Sequence, residues 1–287
     1  MKPGIHTMTA DAYHADPCSV PSLSASMAHL LLTTSPAHAR QAHPKLNPEH
    51  ERNEEAKFDV GTVAHALLLQ GEDIAVIVDA DDWRTNAAKE ERDFARASGQ
   101  IPLLAKHWEA VQAMVAAARE QLAEHDAAPA LFNDGKPEQT LIWEEPCGIT
   151  CRSRLDWLRD DHTTIDDLKT TARSANPEAY SRALFNVGGD VQAAFYLRGL
   201  KALTGADAEF RWVVVETAPP YALAVISPGP DVLALAEAKV EWAVQLWKQG
   251  IETDSWPGYP RQVCYAELPP WEETRWMERE AMEDVAA

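Results

Sequence analysis

The sequence of 287 residues has little cysteine, few basic residues for its acidic ones, and no long apolar run. Each shortage removes a class of protein. The four cysteines, Cys18, Cys147, Cys151 and Cys264, are too few and too scattered to staple a chain of this length, which points to a reducing setting. Cys147 and Cys151 have no second pair to complete a structural zinc site. Nothing approaches the roughly 18 consecutive apolar residues of a membrane-spanning helix. The start, Met1-Lys2-Pro3-Gly4-Ile5-His6, lacks the apolar core of a secretory signal, so a cytoplasmic protein is expected. The glycine spacing of a phosphate-binding loop is absent too, which excludes a fused NTP-driven motor. Finally, 26 Lys and Arg stand against 45 Asp and Glu, a formal net charge of −19. That balance disfavours a broad nonspecific surface for nucleic acid or anionic membrane, while leaving room for a small basic site on an acidic body.

What is present suffices for a sizeable core, since 46% of residues are hydrophobic. With no internal repeat and no Gly/Ser- or Pro-rich linker, a single domain over 1–287 is expected. It would comprise an N-terminal elaboration (1–57), a core (58–260) and an acidic C-terminal tail (261–287). The polar stretch His43–Lys57 reads as a surface loop. Apolar spacing predicts helices over Ser24–Leu32, Phe58–Leu69, Ala87–Ala97, Ala105–His125, from Asn176-Pro177 onward, Asp190–Leu200 and Asp231–Gln249. The period drops to two over Gln139–Glu144, Ile149–Leu158, Thr163–Leu168, Phe210–Glu216 and Tyr221–Ser227, which predicts strands. Helices before, between and after a compact strand cluster predict an α/β fold with a central mixed β-sheet flanked by helices.

The most informative spacing is Asp156, ten residues, Asp167, one residue, Lys169. On a strand, residues two apart share a face, so Asp167 and Lys169 point the same way, and an antiparallel neighbour can bring Asp156 beside them. Two carboxylates and an ammonium at one sheet edge suit metal-assisted phosphodiester hydrolysis, because Mg²⁺ takes hard oxygen ligands and a lysine can stabilise charge on phosphate. An acidic turn next to a lysine can also be merely a solvated hairpin. About twenty-five residues on, Gln192 and Tyr196 lie four apart, on one face of a predicted helix.

These residues together resemble the PD-(D/E)xK nuclease superfamily, in its RecB-like branch with a Gln-x-x-x-Tyr motif. The likeness extends to the RecE-type exonuclease VIII group through Leu23-Ser24-Ala25-Ser26, Gly61-Thr62-Val63-Ala64-His65, Arg84-Thr85-Asn86-Ala87-Ala88-Lys89, Cys151–Asp156, Asp167–Thr171 and Val191–Tyr196. The resemblance implies a restriction-endonuclease-like core. Asp156, Asp167, the Leu168 backbone carbonyl and His65 would hold Mg²⁺, with Mn²⁺ able to substitute. Lys169 would be the catalytic lysine, and Gln192 and Tyr196 would brace the site. Glu138 is an additional acid, with Glu144 and Glu145 as competitors for that role. Leu155 stands where the family pattern has proline. Arg152 and Arg154 alternate along the Asp156 strand and are expected to reach phosphate, whose oxygens a guanidinium binds bidentately. Ser24 and Ser26, at a helix start, are expected either to seat a terminal 5′-phosphate or simply to cap the helix. Arg84 and Lys89 are further expected DNA contacts.

Only Cys264 lies in the last third of the chain, so the iron–sulfur cluster of some RecB-like nucleases cannot form. The resemblance implies a Mg²⁺-dependent 5′–3′ exonuclease on ends of linear double-stranded DNA. It would leave 3′ single-stranded tails for a RecT-like annealing protein and assemble as a toroidal tetramer. The alternatives are a RecB-like nuclease of other polarity, a structure-specific endonuclease, or a DNA-end-binding protein with a retired site. Between Cys151 and Arg173 basic and acidic residues balance, so the excess negative charge lies elsewhere. A neutral channel in an acidic exterior would favour approach by a DNA end.

Overall fold

The computed structural model describes residues 1–50, 59–126 and 131–286, which divide into two compact units, Met1–Pro257 and Gly258–Ala287. Among the described residues no helix is long and apolar enough to cross a membrane. The first unit is built on a seven-stranded mixed sheet of β1 (Gly4–Thr7), β2 (Leu23–Ser24), β5 (Gly135–Glu144), β6 (Thr150–Arg159), β7 (Thr164–Thr171), β8 (Glu209–Glu216) and β9 (Leu223–Ile226). The order is β1-β5-β6-β7-β8-β9, with β2 paired to β6. β7 and β8 are parallel, as are β2 and β6, and the other pairs are antiparallel. A small parallel pair, β3 (Ala75–Val78) and β4 (Ile101–Leu104), stands apart from this sheet.

Helices cover both faces, as expected of a sheet whose strands are apolar on each side. One face packs α2 (Ala25–Thr33), α8 (Gly189–Thr204) and α9 (Pro230–Thr253) over Trp143, Leu155, Ile165, Phe210 and Trp212. The other packs α4 (Asp59–His65) and α6 (Ala105–Glu124) over Leu168, Val213 and Val215. Four further helices are α1 (Ala10–His14), α3 (Pro36–Ala42), α5 (Asn86–Ala97) and α7 (Pro177–Asn186). The second unit contains α10 (Pro270–Ala286), a helix within the stretch expected only as an acidic tail.

The pairing of β6 decides where a site can form. One edge of β6 pairs with β5 along its length. The other edge pairs with β7 only at Trp157–Asp166 and Leu158–Ile165, and with β2 only at Leu23–Cys151 and Ser24–Arg152. Between these short ladders the edge is open, and Asp156 and Asp167 stand one step beyond the last β6–β7 pair. The expected Phe58–Leu69 helix is α4 followed by a π-helical turn over Ala66–Gln70, which Gly71 closes at φ 68°. Phe58 and residues 51–57 of the expected polar loop lie outside the described residues. His43, at the start of that loop, is buried rather than on the surface.

Candidate active site

At the opening between β6 and β7, the strand period puts Asp167 and Lys169 on one face, where Lys169 Nζ stands 2.5 Å from Asp167 Oδ2. Gln192, on α8, donates from Nε2 to Asp167 Oδ1 at 2.9 Å. Asp156 Oδ2 accepts from the Leu168 amide at 2.9 Å, which closes the gap in the ladder. Its neighbour Asp166 faces the other way, where Arg211 Nε donates to it at 2.7 Å and the Phe132 amide at 3.1 Å. Strand alternation therefore separates a structural aspartate from a site aspartate at consecutive positions.

His65 reaches this edge from α4. Gly61, one helical turn earlier, lies so close to β7 that a Cβ there would stand 2.9 Å from Thr170 Oγ1. That approach lets α4 carry the ring across the sheet opening: His65 Nε2 lies 3.1 Å from Asp156 Oδ2, and Nδ1 lies 3.3 Å from Glu138 Oε1. Arg154 forms an ion pair with Glu138 Oε2 at 2.6 Å. Glu138, Arg154, His65, Asp156, Lys169 and Tyr196 line one cavity of about 580 Å³.

Charge in the cavity is nearly self-balanced. Burial pushes the Asp167 carboxyl up, and the like charge of Asp156 reinforces it against Lys169 and His65, to about 7. Burial also acts to raise Asp156, but His65 and Lys169 outweigh it and hold that carboxyl below its usual range. Partial burial disfavours the charge on Lys169, yet Asp167 and Asp156 hold it above the ordinary lysine range. In this state the lysine is a cation and a donor rather than a base. Burial disfavours a charged His65 as well, and Asp156 and Glu138 overcome it and raise the ring's pKa.

The other expected contacts fall elsewhere. Arg152 is 4% exposed, and its guanidinium donates to the Ser22 carbonyl and hydroxyl, each at 2.7 Å, beside Asp16 at 3.5 Å. It is held in a buried cluster and lines the cavity of Ser24 and Ser26 described next rather than the one at Asp156. Ser24 caps α2, accepting from the Met27 amide at 3.3 Å, and bonds Ser26 Oγ at 3.0 Å. Both serines line a second cavity of about 570 Å³ that shares Tyr13 and His14 with the first. Arg84 and Lys89, at the start of α5, line neither cavity; Arg84 is turned toward Asp82 at 3.5 Å. Of the acids competing with Glu138, Glu145 is bound to Arg198 at 2.5 Å and Glu144 is exposed.

Among the described residues no three His, Cys, Asp or Glu side chains are gathered as a ready metal cage. The donor set nonetheless fits a hard cation. Asp167 Oδ2 is buried, and Lys169 approaches it without hydrogen-bond alignment, beside a second carboxylate whose like charge it opposes. Magnesium commonly takes one or two carboxylates and keeps several waters.

A mixed sheet opened at an Asp–Asp–Lys edge defines an α/β fold of PD-(D/E)xK type. The chain belongs to the family described as a PDDEXK-like domain of unknown function (DUF3799), which matches residues 24–269. The crystal structure of a Eubacterium rectale protein, described as a candidate exonuclease, aligns with a TM-score of 0.63 at 14% identity, over 94% of this chain and 98% of that one. At that identity the likeness is one of fold. The structure of SSO0001 aligns over 76% of this chain and 100% of that one at 14% identity, with a TM-score of only 0.30. No protein of curated function matches the sequence.

Asp167 has a consequence for pH. A carboxyl raised above its unfolded value stabilises the cation-free protein fully below about 4 and loses that contribution as pH rises through about 7. A divalent cation needs the ionised form, so its binding releases a proton and strengthens with pH up to that point. The thermal shift produced by a fixed Mn²⁺ concentration is expected to be larger at pH 8 than at pH 6. An equal shift at both would contradict the assignment.

Proposed function

We propose that this protein is a divalent-metal-dependent deoxyribonuclease that degrades linear double-stranded DNA from its ends. The observation that carries the reading is the convergence of Asp156, Asp167 and Lys169 where β6 and β7 part. Asp156, Asp167 and the Leu168 carbonyl, with His65, would hold the cation, Mg²⁺ or Mn²⁺. Bound there, it would make a water more acidic and offset charge gathering on the phosphate. Lys169, kept protonated by its two carboxylates, donates to a phosphate oxygen and steadies the charge that develops as water attacks. Gln192 fixes the rotamer of Asp167 from α8, and Tyr196 supports the cavity wall.

The exonuclease reading is supported by the fold neighbour's description and by the collinear RecE-type motifs. The same motifs support 5′–3′ polarity, 3′ tails handed to a RecT-like annealing protein, and a toroidal tetramer. Ser24 and Ser26, in the cavity that shares Tyr13 and His14 with the carboxylate cavity, would seat a terminal 5′-phosphate. Duplex DNA labelled at either the 5′ or the 3′ ends of its strands tests the reading. In Mg²⁺ the 5′ label is expected to leave first, as mononucleotide. Earlier release of the 3′ label would reverse the polarity, and release of neither would remove the nuclease assignment.

A further inference from the structure

The break in the β5–β6 ladder falls at Glu138. Pro137 is opposite Trp157 and Gln139 opposite Leu155, so Glu138 faces Asp156 across the two strands without a regular pair. Its φ is +57°, a region that side chains with a Cβ seldom occupy and that clusters at functional sites. The twist presents its carboxylate to the helix side of the opening. There Oε1 lies 3.3 Å from His65 Nδ1 and accepts from Gln70 Nε2, also at 3.3 Å, while Arg154 holds Oε2.

His65 and Gln70 are five residues apart, a separation that an α-helix turns to different faces. The π-helical turn over Ala66–Gln70 has bonds from i to i+5 and aligns them. Two donors on one helix thereby meet a single oxygen on the neighbouring strand.

We propose that Glu138 is a positioning residue that fixes the His65 ring against Asp156, and that the π-helical turn locks this arrangement by bringing Gln70 onto the same oxygen. Glu138 acts on the ring and is not itself a ligand. A carboxylate on the far nitrogen of a metal-facing histidine sets its tautomer and orientation, and its loss typically weakens metal binding roughly 10- to 100-fold. The proposal rests on the reading of Asp156 and Asp167 as a cation site.

Calorimetric titration of Mn²⁺ into the full-length protein tests it, with the variants Glu138→Gly, Glu138→Gln and Gln70→Ala. Glycine accepts the left-handed backbone, so Glu138→Gly is expected to keep its thermal midpoint while binding Mn²⁺ about 10- to 100-fold more weakly. Glu138→Gln keeps an acceptor for both donors and is expected to stay near wild type; Gln70→Ala is expected to weaken binding by less than Glu138→Gly. The number of ions bound and the rate at saturating cation are expected to be unchanged. Unaltered affinity in Glu138→Gly, a lost ion, or a rate that saturating cation does not restore would each overturn the proposal.

A second readout needs no bound metal. In ¹⁵N-histidine spectra of the cation-free protein, the His65 Nδ1 proton is expected to exchange slowly in wild type and rapidly in Glu138→Gly. Equal exchange in both would overturn the proposal. Failure of the wild type to bind Mn²⁺ would instead remove the cation site, leaving this readout to decide the role of Glu138.

Discussion

Replacing Asp167 or Lys169 by alanine is expected to lower DNA hydrolysis at least about a hundredfold, the scale of losing a main electrostatic contribution to a transition state. Each substitution also leaves an opposite charge without its partner, so the loss is read per folded molecule, with the thermal midpoint measured alongside. Neighbouring Asp166 provides the contrast. It lies on the opposite face, bound to Arg211 and the Phe132 amide, and neither contact reaches the cavity. Asp166→Ala removes the buried ion pair with Arg211, which is 7% exposed, so it should lower the thermal midpoint while the folded fraction keeps its rate per molecule. If Asp166→Ala abolished turnover and Asp167→Ala did not, the face assignment of β7 would be wrong.

The second large effect concerns stability. Asp16, Ser22, His43 and Arg152 form a buried polar cluster that ties the loop after α1 and the residue after α3 to β6. Asp16 accepts from the Ser22 amide at 2.9 Å and hydroxyl at 2.8 Å, and lies 3.3 Å from His43 Nε2. The Lys45 amide donates to His43 Nδ1 at 3.2 Å, which assigns the ring proton to Nε2. Burial acts to raise the Asp16 carboxyl, but the bond from His43, the charge of Arg152 and the bonds from Ser22 hold it well below the usual carboxylate range. Asp16→Ala leaves the buried Arg152 guanidinium with no opposing charge among the described residues, which typically costs about 3–5 kcal/mol. In a chain of this size that lowers the thermal midpoint by roughly 10 °C.

The sign with pH follows from the lowered value. The contribution of Asp16 is fully present above about 4 and is lost as pH falls toward its folded pKa, so wild type and Asp16→Ala should converge in stability as the solution is made strongly acidic. A gap that persisted at low pH would contradict the charge argument. The exposed pair of Glu178 and Arg182, 2.6 Å apart, serves as a control. Solvent screens it, and Glu178→Ala should leave the midpoint within error.

Much of this was readable from the residues. The strand period placed Asp167 and Lys169 on one face, and Gln192 at helical spacing from Tyr196 indicated the brace that forms at Asp167. The period could not show where the β6–β7 ladder ends, because that depends on β2 taking the same edge of β6. The π-helical turn was hidden inside an apolar run that reads as plain helix; Gln70 before Gly71, polar at the end of Leu67-Leu68-Leu69, was its available signal. Arg152 and Arg154 looked equivalent by spacing, yet Arg152 is bound within the Asp16 cluster beside the second cavity and Arg154 faces the first. A chain-distant partner decided each of these cases, and local patterns do not encode such partners. The short strands β1, β2, β3 and β4, of two to four residues, escaped as well, carrying too few residues for a period to show.

One digestion decides the assignment: a 5′-phosphorylated linear duplex and a closed circle of the same sequence, each incubated with the protein with and without Mg²⁺. The linear DNA is expected to disappear only when Mg²⁺ is present, the circle to survive both conditions, and Asp167→Ala to leave all four samples intact. Cutting of the circle, or loss of the linear duplex without a divalent cation, would contradict it.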